Sequence, residues 1–140
     1  MAIKVKAPGL ATTVQDLGRP GYYHLGIPLS GGMDRFALRA ANMLVGNDEG
    51  AAVLEAVFMG PELEFTADVL VAVAGAELPP KVDGAVQPTW SSFRVKSGQV
   101  LSFDFPEGRR PGLYRGRRRD RRARGAGQPL DLWAGRAGRA

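Results

Sequence analysis

A chain of 140 residues, 44% hydrophobic, with no cysteine and one histidine, has the length of one domain with a single core. It excludes a disulfide framework, a thiolate metal site and a multi-histidine zinc site. The net charge of +5 points toward nucleic acid until it is located. Residues 1–108 carry eight Lys and Arg against twelve acidic residues, while 109–140 carry eleven Arg against Asp120 and Asp131. The basic excess is confined to a Gly/Arg/Ala tail, so no nucleic-acid partner is expected.

The opening Met-Ala-Ile-Lys-Val-Lys lacks the apolar core of a signal peptide, and no apolar run approaches the ~18 residues of a membrane span. A soluble, cytoplasmic protein without a membrane partner is the expectation. Ile3 to Lys6 alternates apolar and polar and predicts a short strand ended by Pro8-Gly9. A loop follows, broken by Gly18, Pro20, Gly21, Gly26 and Pro28 and carrying Tyr22, Tyr23, Leu25, Ile27 and Leu29 as apolar ballast. A helix is predicted from about Asp34 to Val45, capped by Ser30 or Asp34 and ended by Gly46. Met33, Phe36, Ala37, Ala40 and Leu44 recur at helical spacing, so this stripe is expected to face a core.

Beyond Asn47 the texture is that of strands: Ala51–Phe58, Glu62–Thr66, Val69–Ala74, Ser92–Lys96 and Val100–Phe105. Gly60-Pro61, Ala67-Asp68, Pro79-Pro80, Asp83-Gly84 and Ser97-Gly98 mark turns between them. Many short strands with one inserted helix predict a mainly β sandwich or barrel. Trp90 and Phe93 are expected in the core.

No phosphate-binding loop, dinucleotide fingerprint, zinc-protease helix or nucleophile elbow is present. Chemistry-bearing residues concentrate instead between Gln15 and Glu55. Asp16 and Arg19 suit a structural ion pair or a substrate clamp equally well. Asp34 is first a helix-start residue. His24, alone in an aromatic loop, reads first as a packed residue. Glu55 stands in an apolar strand, where a carboxylate is either paired or aimed into a site.

The string TTVQDLGRPGY, with HLGIPLSGGMDR, LVGNDE, GPELEF at Gly60–Phe65, the run Val71–Ala76, Trp90 and VKSGQVLSF at Val95–Phe103, resembles the carboxyltransferase-type family. That family includes the C-type subunit of bacterial 5-oxoprolinase, allophanate hydrolase subunit 2 and the related domain of urea carboxylase. The resemblance covers residues 3–114. It implies a cyclophilin-like β-barrel with one or two helices, incomplete in this chain. It also implies membership of a hydrolase complex that opens the lactam of 5-oxoproline to glutamate with ATP and Mg, beside partner subunits of the B and A types. Relatives act on urea-derived substrates and use biotin indirectly as a carboxyl carrier, and one is an antagonist of a kinase inhibitor. Carried over residue by residue, the resemblance implies catalytic roles for Asp16, Arg19, His24 and Asp34, and substrate or cofactor contacts for Gln15, Ser30, Asn42 and Glu55.

After Tyr114 the chain departs from the family, which continues with an apolar strand and glycines. Read one base along from Arg115 to Arg139, one permitted choice of third bases gives VAVAGIDVPEVLGSRSTYGRAGLGG, the family continuation almost residue for residue. Residues 115–140 are therefore expected to be an out-of-frame, disordered tail. A chain so ended lacks the family's second half and a barrel strand. It is expected to leave an open sheet edge and to be inactive and poorly soluble alone.

Overall fold

The computed structural model describes residues 3–103 and the backbone of residues 130–134. The expectations that fall on residues 104–129 and 135–140 lie outside the described residues. In chain order the elements are β1 (Ile3–Ala7), β2 (Ala11–Gln15), a single 3-10 turn (Tyr23–Leu25), α1 (Arg35–Leu44), β3 (Val53–Val57), β4 (Glu62–Phe65) and β5 (Val69–Gly75). β6 (Pro80–Val82), β7 (Ala85–Val86), β8 (Ser91–Val95), β9 (Val100–Phe103) and β10 (Leu130–Ala134) complete the set. They form two five-stranded sheets, ordered β1-β4-β9-β6-β7 and β2-β3-β10-β5-β8. The architecture is mainly β with one helix, an incomplete barrel rather than a closed one.

Strand periodicity decides the packing. Val69, Val71 and Val73 point to one side of β5 and meet Ala56, Phe93 and Val95 of their own sheet and Leu63, Phe65, Val82 and Leu101 of the other. Burying each of the larger side chains contributes roughly 1.5–3 kcal/mol. Ala74, on the opposite face of β5, lies against Ala37 and Ala41 of α1. The second sheet is thus covered on both sides where the helix crosses it.

The helix begins as its chemistry dictates. The Asp34 carboxylate accepts from Phe36 N and Ala37 N, and Gly46 follows at φ 76° with its N–H donating to Met43 O at 3.1 Å. Its buried face differs from the expected stripe. Ala37, Leu38, Ala41 and Asn42 are buried, whereas Met33, Phe36 and Met43 are largely exposed. Small side chains let the helix approach the sheet at Ala74, and that choice turns the large residues outward. Trp90, expected in the core, is also exposed and stands 6.0 Å from the Phe36 ring. Phe93 is buried as expected.

Three strands carry little signal in the sequence: β2, β6 and β7. β2 reads Ala-Thr-Thr-Val-Gln and lies at the edge of its sheet, wet on most of its surface, so alternation is weak. The Asp83-Gly84 turn joins β6 to β7 with positive φ at both residues, as a two-residue hairpin requires. Asp83 also accepts from Val100 N and Gln99 Nε2. In the tail expected to be disordered, Leu130–Ala134 forms a strand inside the second sheet rather than leaving an open position there. That stretch is the least basic in the tail.

On β4, Glu64 is bridged by Lys4 at 2.9 Å and Lys6 at 3.7 Å. The Lys4 hydrogen bond, then its charge, lowers the Glu64 pKa below 4.5. A carboxylate lowered on folding stabilises above its unfolded pKa and loses that contribution as pH falls through the folded value. Lys4→Ala is therefore expected to lower the melting temperature slightly at pH 7. In acid below the lowered pKa, melts of the two proteins should coincide, which differential scanning calorimetry would check.

Candidate functional site

The loop from Gln15 to Asp34 folds back on itself. Arg19 N donates to Leu29 O at 2.9 Å and Gly32 N donates to Asp16 O at 2.8 Å, clamping residues 16–19 against 29–32. Glycine makes the approach possible. A Cβ on Gly18 would stand 2.4 Å from Leu29 O, and one on Gly31 would stand 2.6 Å from Gly18 N and 2.7 Å from Asp16 O. Both residues have positive φ, and Ser30, on the second arm beside Gly31, sits at φ 55°. Backbone held in that region by its surroundings is a recognised mark of functional loops.

Asp16 and Arg19 do not pair with each other. The Asp16 carboxylate accepts from Gly18 N at 2.7 Å, an Asx turn, and Arg19 Nη2 donates to Ser30 Oγ at 3.3 Å. Arg35, the first residue of α1, donates from Nη2 to Leu17 O. Sequence reasoning passed over Arg35; its place directly after the helix cap was the available signal. Among the described residues, both guanidinium groups are bonded to neutral oxygens. Neither has a carboxylate partner among the ion pairs of the described residues.

The Glu55 side chain comes up from β3 beneath this loop. It is 7% exposed, and Oε1 accepts from Met33 N at 2.7 Å. Its partner is thus a backbone amide at the start of α1. Asn42 is fully buried and ties the end of the helix down: Nδ2 donates to Ala51 O at 2.8 Å and to Glu49 O at 3.4 Å. Its Oδ1 accepts from Asn47 Nδ2 at 3.3 Å. Gln15 donates to Thr13 Oγ1 on its own strand, and His24 lies exposed in the 3-10 turn. The structure therefore gathers Asp16, Arg19, Ser30, Asp34 and Glu55 at one loop. Gln15 lies at its edge, His24 on the far arm of the loop, and Asn42 at the other end of the helix.

A second concavity lies on the outer side of α1. It is a groove of about 450 Å³ lined by Phe36, Ala40, Met43, Leu44 and Trp90, without an ionisable group. Among the described residues no helix is long and apolar enough to cross a membrane.

The family model of the carboxyltransferase domain, subdomain A and B, matches residues 25–114, a span that begins just after His24 and includes the second arm of the clamp, α1 and Glu55. The chain is 38% identical over 107 residues to the C-type subunit of 5-oxoprolinase from Escherichia coli, covering 75% of this chain and 34% of that protein. It is 37% identical over 103 residues to urea amidolyase of Saccharomyces cerevisiae, covering 73% of this chain and 6% of that protein. The crystal structure of the K. lactis urea amidolyase superimposes with a TM-score of 0.75 at 31% identity, over 94% of this chain and 7% of that one. The chain thus spans about a third of the bacterial protein and a small part of the fungal enzymes. Fold, relatives and matched span agree: the chain belongs to the carboxyltransferase domain family, as part of its subdomains A and B.

Proposed function

We propose that the chain is the N-terminal part of a subunit of an ATP-dependent 5-oxoprolinase, or of a related allophanate or urea carboxyltransferase-type complex. The observation that carries this reading is the pair of guanidinium groups, Arg19 and Arg35, fixed by neutral oxygens on the glycine-lined clamp. Opening an unstrained lactam adds water across the C–N bond, and the nitrogen leaves with a proton. The carbonyl oxygen gathers negative charge on the way, so fixed positive donors lower the barrier. Arg19 is assigned to a substrate carboxylate or that oxygen, with Ser30 holding its guanidinium. Asp16 and Asp34 hold the loop and helix that present it. His24 is assigned to proton transfer at the rim, and Gln15 to substrate contact at the edge. Asn42 and Glu55 act behind as positioning residues.

In the assembled complex, ATP with Mg would supply the activation of the amide oxygen. The start of α1, an ordinary seat for phosphate, does not fit it here. Asp34 and Glu55 already take the amides of Met33, Phe36 and Ala37, and two carboxylates repel phosphate. The nucleotide is therefore assigned to the partner subunits of the B and A types, and biotin, in carboxylase relatives, to a separate carrier.

A second reading has a specific observation in its favour. The apolar groove at Phe36, Met43 and Trp90 suits a non-catalytic module that binds a partner subunit, as a kinase-inhibitor antagonist would. The test is Arg19→Ala, made at the matching position of an intact family subunit and assayed for ATP-dependent 5-oxoproline turnover in the assembled complex. Turnover is expected to fall at least about tenfold with assembly unchanged. A loss within about threefold sinks the catalytic assignment. Assembly without turnover in the unaltered complex favours the interaction module.

A further inference from the structure

The clamp leaves its arginines in water. Arg19, Ser30 and Arg35 are all exposed. Attraction between a guanidinium and a charged oxygen is about fourfold weaker in bulk water than at a partly covered protein surface. Fixed donors therefore stabilise an oxyanion well only where water is shut out.

A segment suited to that task hangs from the clamp itself. Residues 20–28 form a lobe whose neck is closed by the 2.9 Å bond from Arg19 N to Leu29 O. Inside, the lobe is bonded to itself: Leu25 N donates to Tyr22 O at 3.0 Å, and Gly26 N donates to Tyr23 O at 2.9 Å. It is a compact surface loop with joined ends. Little of it packs against the sheets. Every residue from Arg19 to Pro28 is exposed, and no residue of the 3-10 turn is buried. Among the described residues, no side-chain hydrogen bond ties Tyr22, Tyr23 or His24 to another residue.

This lobe is apolar where it meets water. Tyr22, Tyr23, Leu25 and Ile27 lie close together on it, Tyr23 at 66% exposure and Leu25 at 62%. A cluster of that kind marks a surface made to meet another. The turn is also free to swing. Gly21 and Gly26 take φ 92° and 75°, and nothing lies within 4 Å of a Cβ added to either. No neighbour resists rotation there, while Pro20 and Pro28 keep the neck stiff. Hinges of enzyme loops are a few residues of this sort.

We propose that residues 20–28 are a hinged cover for the Arg19 site. Closing brings Tyr22, Tyr23 and Leu25 over the arginine, expels water and swings His24 in from the far arm of the loop. Closure is favoured when substrate is present, because the same apolar side chains then leave water against it. This role rests on Arg19 being a substrate contact.

The test uses Tyr23→Cys and, separately, Val86→Cys on β7, made at the matching positions of an intact family subunit in the assembled complex. Alkylation of each thiol by iodoacetamide is timed by peptide mass spectrometry, without ATP, in the presence and absence of saturating 5-oxoproline. Calorimetry measures the binding itself. At position 23 alkylation is expected to slow at least about tenfold on binding, and at position 86 to stay unchanged. Arg19→Ala is expected to abolish the slowing. Binding with unchanged alkylation at position 23 overturns the cover and leaves the Arg19 reading standing. No binding of 5-oxoproline overturns both. Slowing that survives Arg19→Ala, or that appears equally at position 86, overturns the cover. So does a thiol at position 23 already shielded before 5-oxoproline is added, since a partner then holds the lobe.

Discussion

Gly31→Ala is expected to destabilise the chain by about 3 kcal/mol or more. Two costs combine. A non-glycine residue in the left-handed region costs about 1–3 kcal/mol, and Gly31 sits at φ 87°. The added Cβ would also stand 2.6 Å from Gly18 N and 2.7 Å from Asp16 O, backbone atoms that cannot rotate away. Relief requires opening the clamp, which breaks the Gly32 N to Asp16 O bond and withdraws Ser30 from Arg19. Gly21 supplies the control. It also has positive φ but nothing within 4 Å of an added methyl, so Gly21→Ala should cost only about 1–2 kcal/mol. Urea unfolding of the two variants measures the difference, and equal losses would show that the clamp is not close-packed.

Asn42→Ala is the second large effect, expected at about 2–4 kcal/mol. Its side chain is fully buried and joins three groups: Ala51 O, Glu49 O and Asn47 Nδ2. Truncation leaves these groups without that partner and opens a small cavity. A polar group left unsatisfied costs about 1–3 kcal/mol. Asn42→Asp keeps the acceptor for Asn47 but offers no donor to the two carbonyls and brings a buried charge, so it should be no better tolerated. Thermal melts would show both variants well below the unaltered chain. A neutral Asn42→Ala would instead free this residue for the contact role that the family resemblance assigns to it.

What the sequence made legible was governed by local chemistry. Asp34 announces the helix because a carboxylate there meets free amides whatever the rest of the chain does, and Gly46 ends it for an equally local reason. β3, β4, β5, β8 and β9 carry their own apolar runs, whereas β10 falls in the tail expected to be disordered. The burial of α1 was not legible, because spacing reveals a stripe but not which of two stripes wins. Alanine at positions 37 and 41 wins by permitting close approach to Ala74, and Phe36 is displaced outward. The clamp was hidden for a different reason. Its polar residues were singled out, Arg35 excepted, yet its shape depends on backbone bonds between residues ten and sixteen positions apart, which no motif records.

The order β2-β3-β10-β5-β8 also has a consequence in time. The first sheet is assembled from segments that have all been made once Phe103 is added, so it can form while the chain is still being synthesised. The second has its central position filled from residues 130–134. Until those residues emerge, β3 and β5 each present an unpaired edge flanked by valine and leucine. Long-range pairing is slow to form, and open strand edges are what neighbouring nascent chains capture. The interval between completing the two sheets is therefore when this molecule is most exposed to misassembly, and it is set by where along the chain the central strand is encoded.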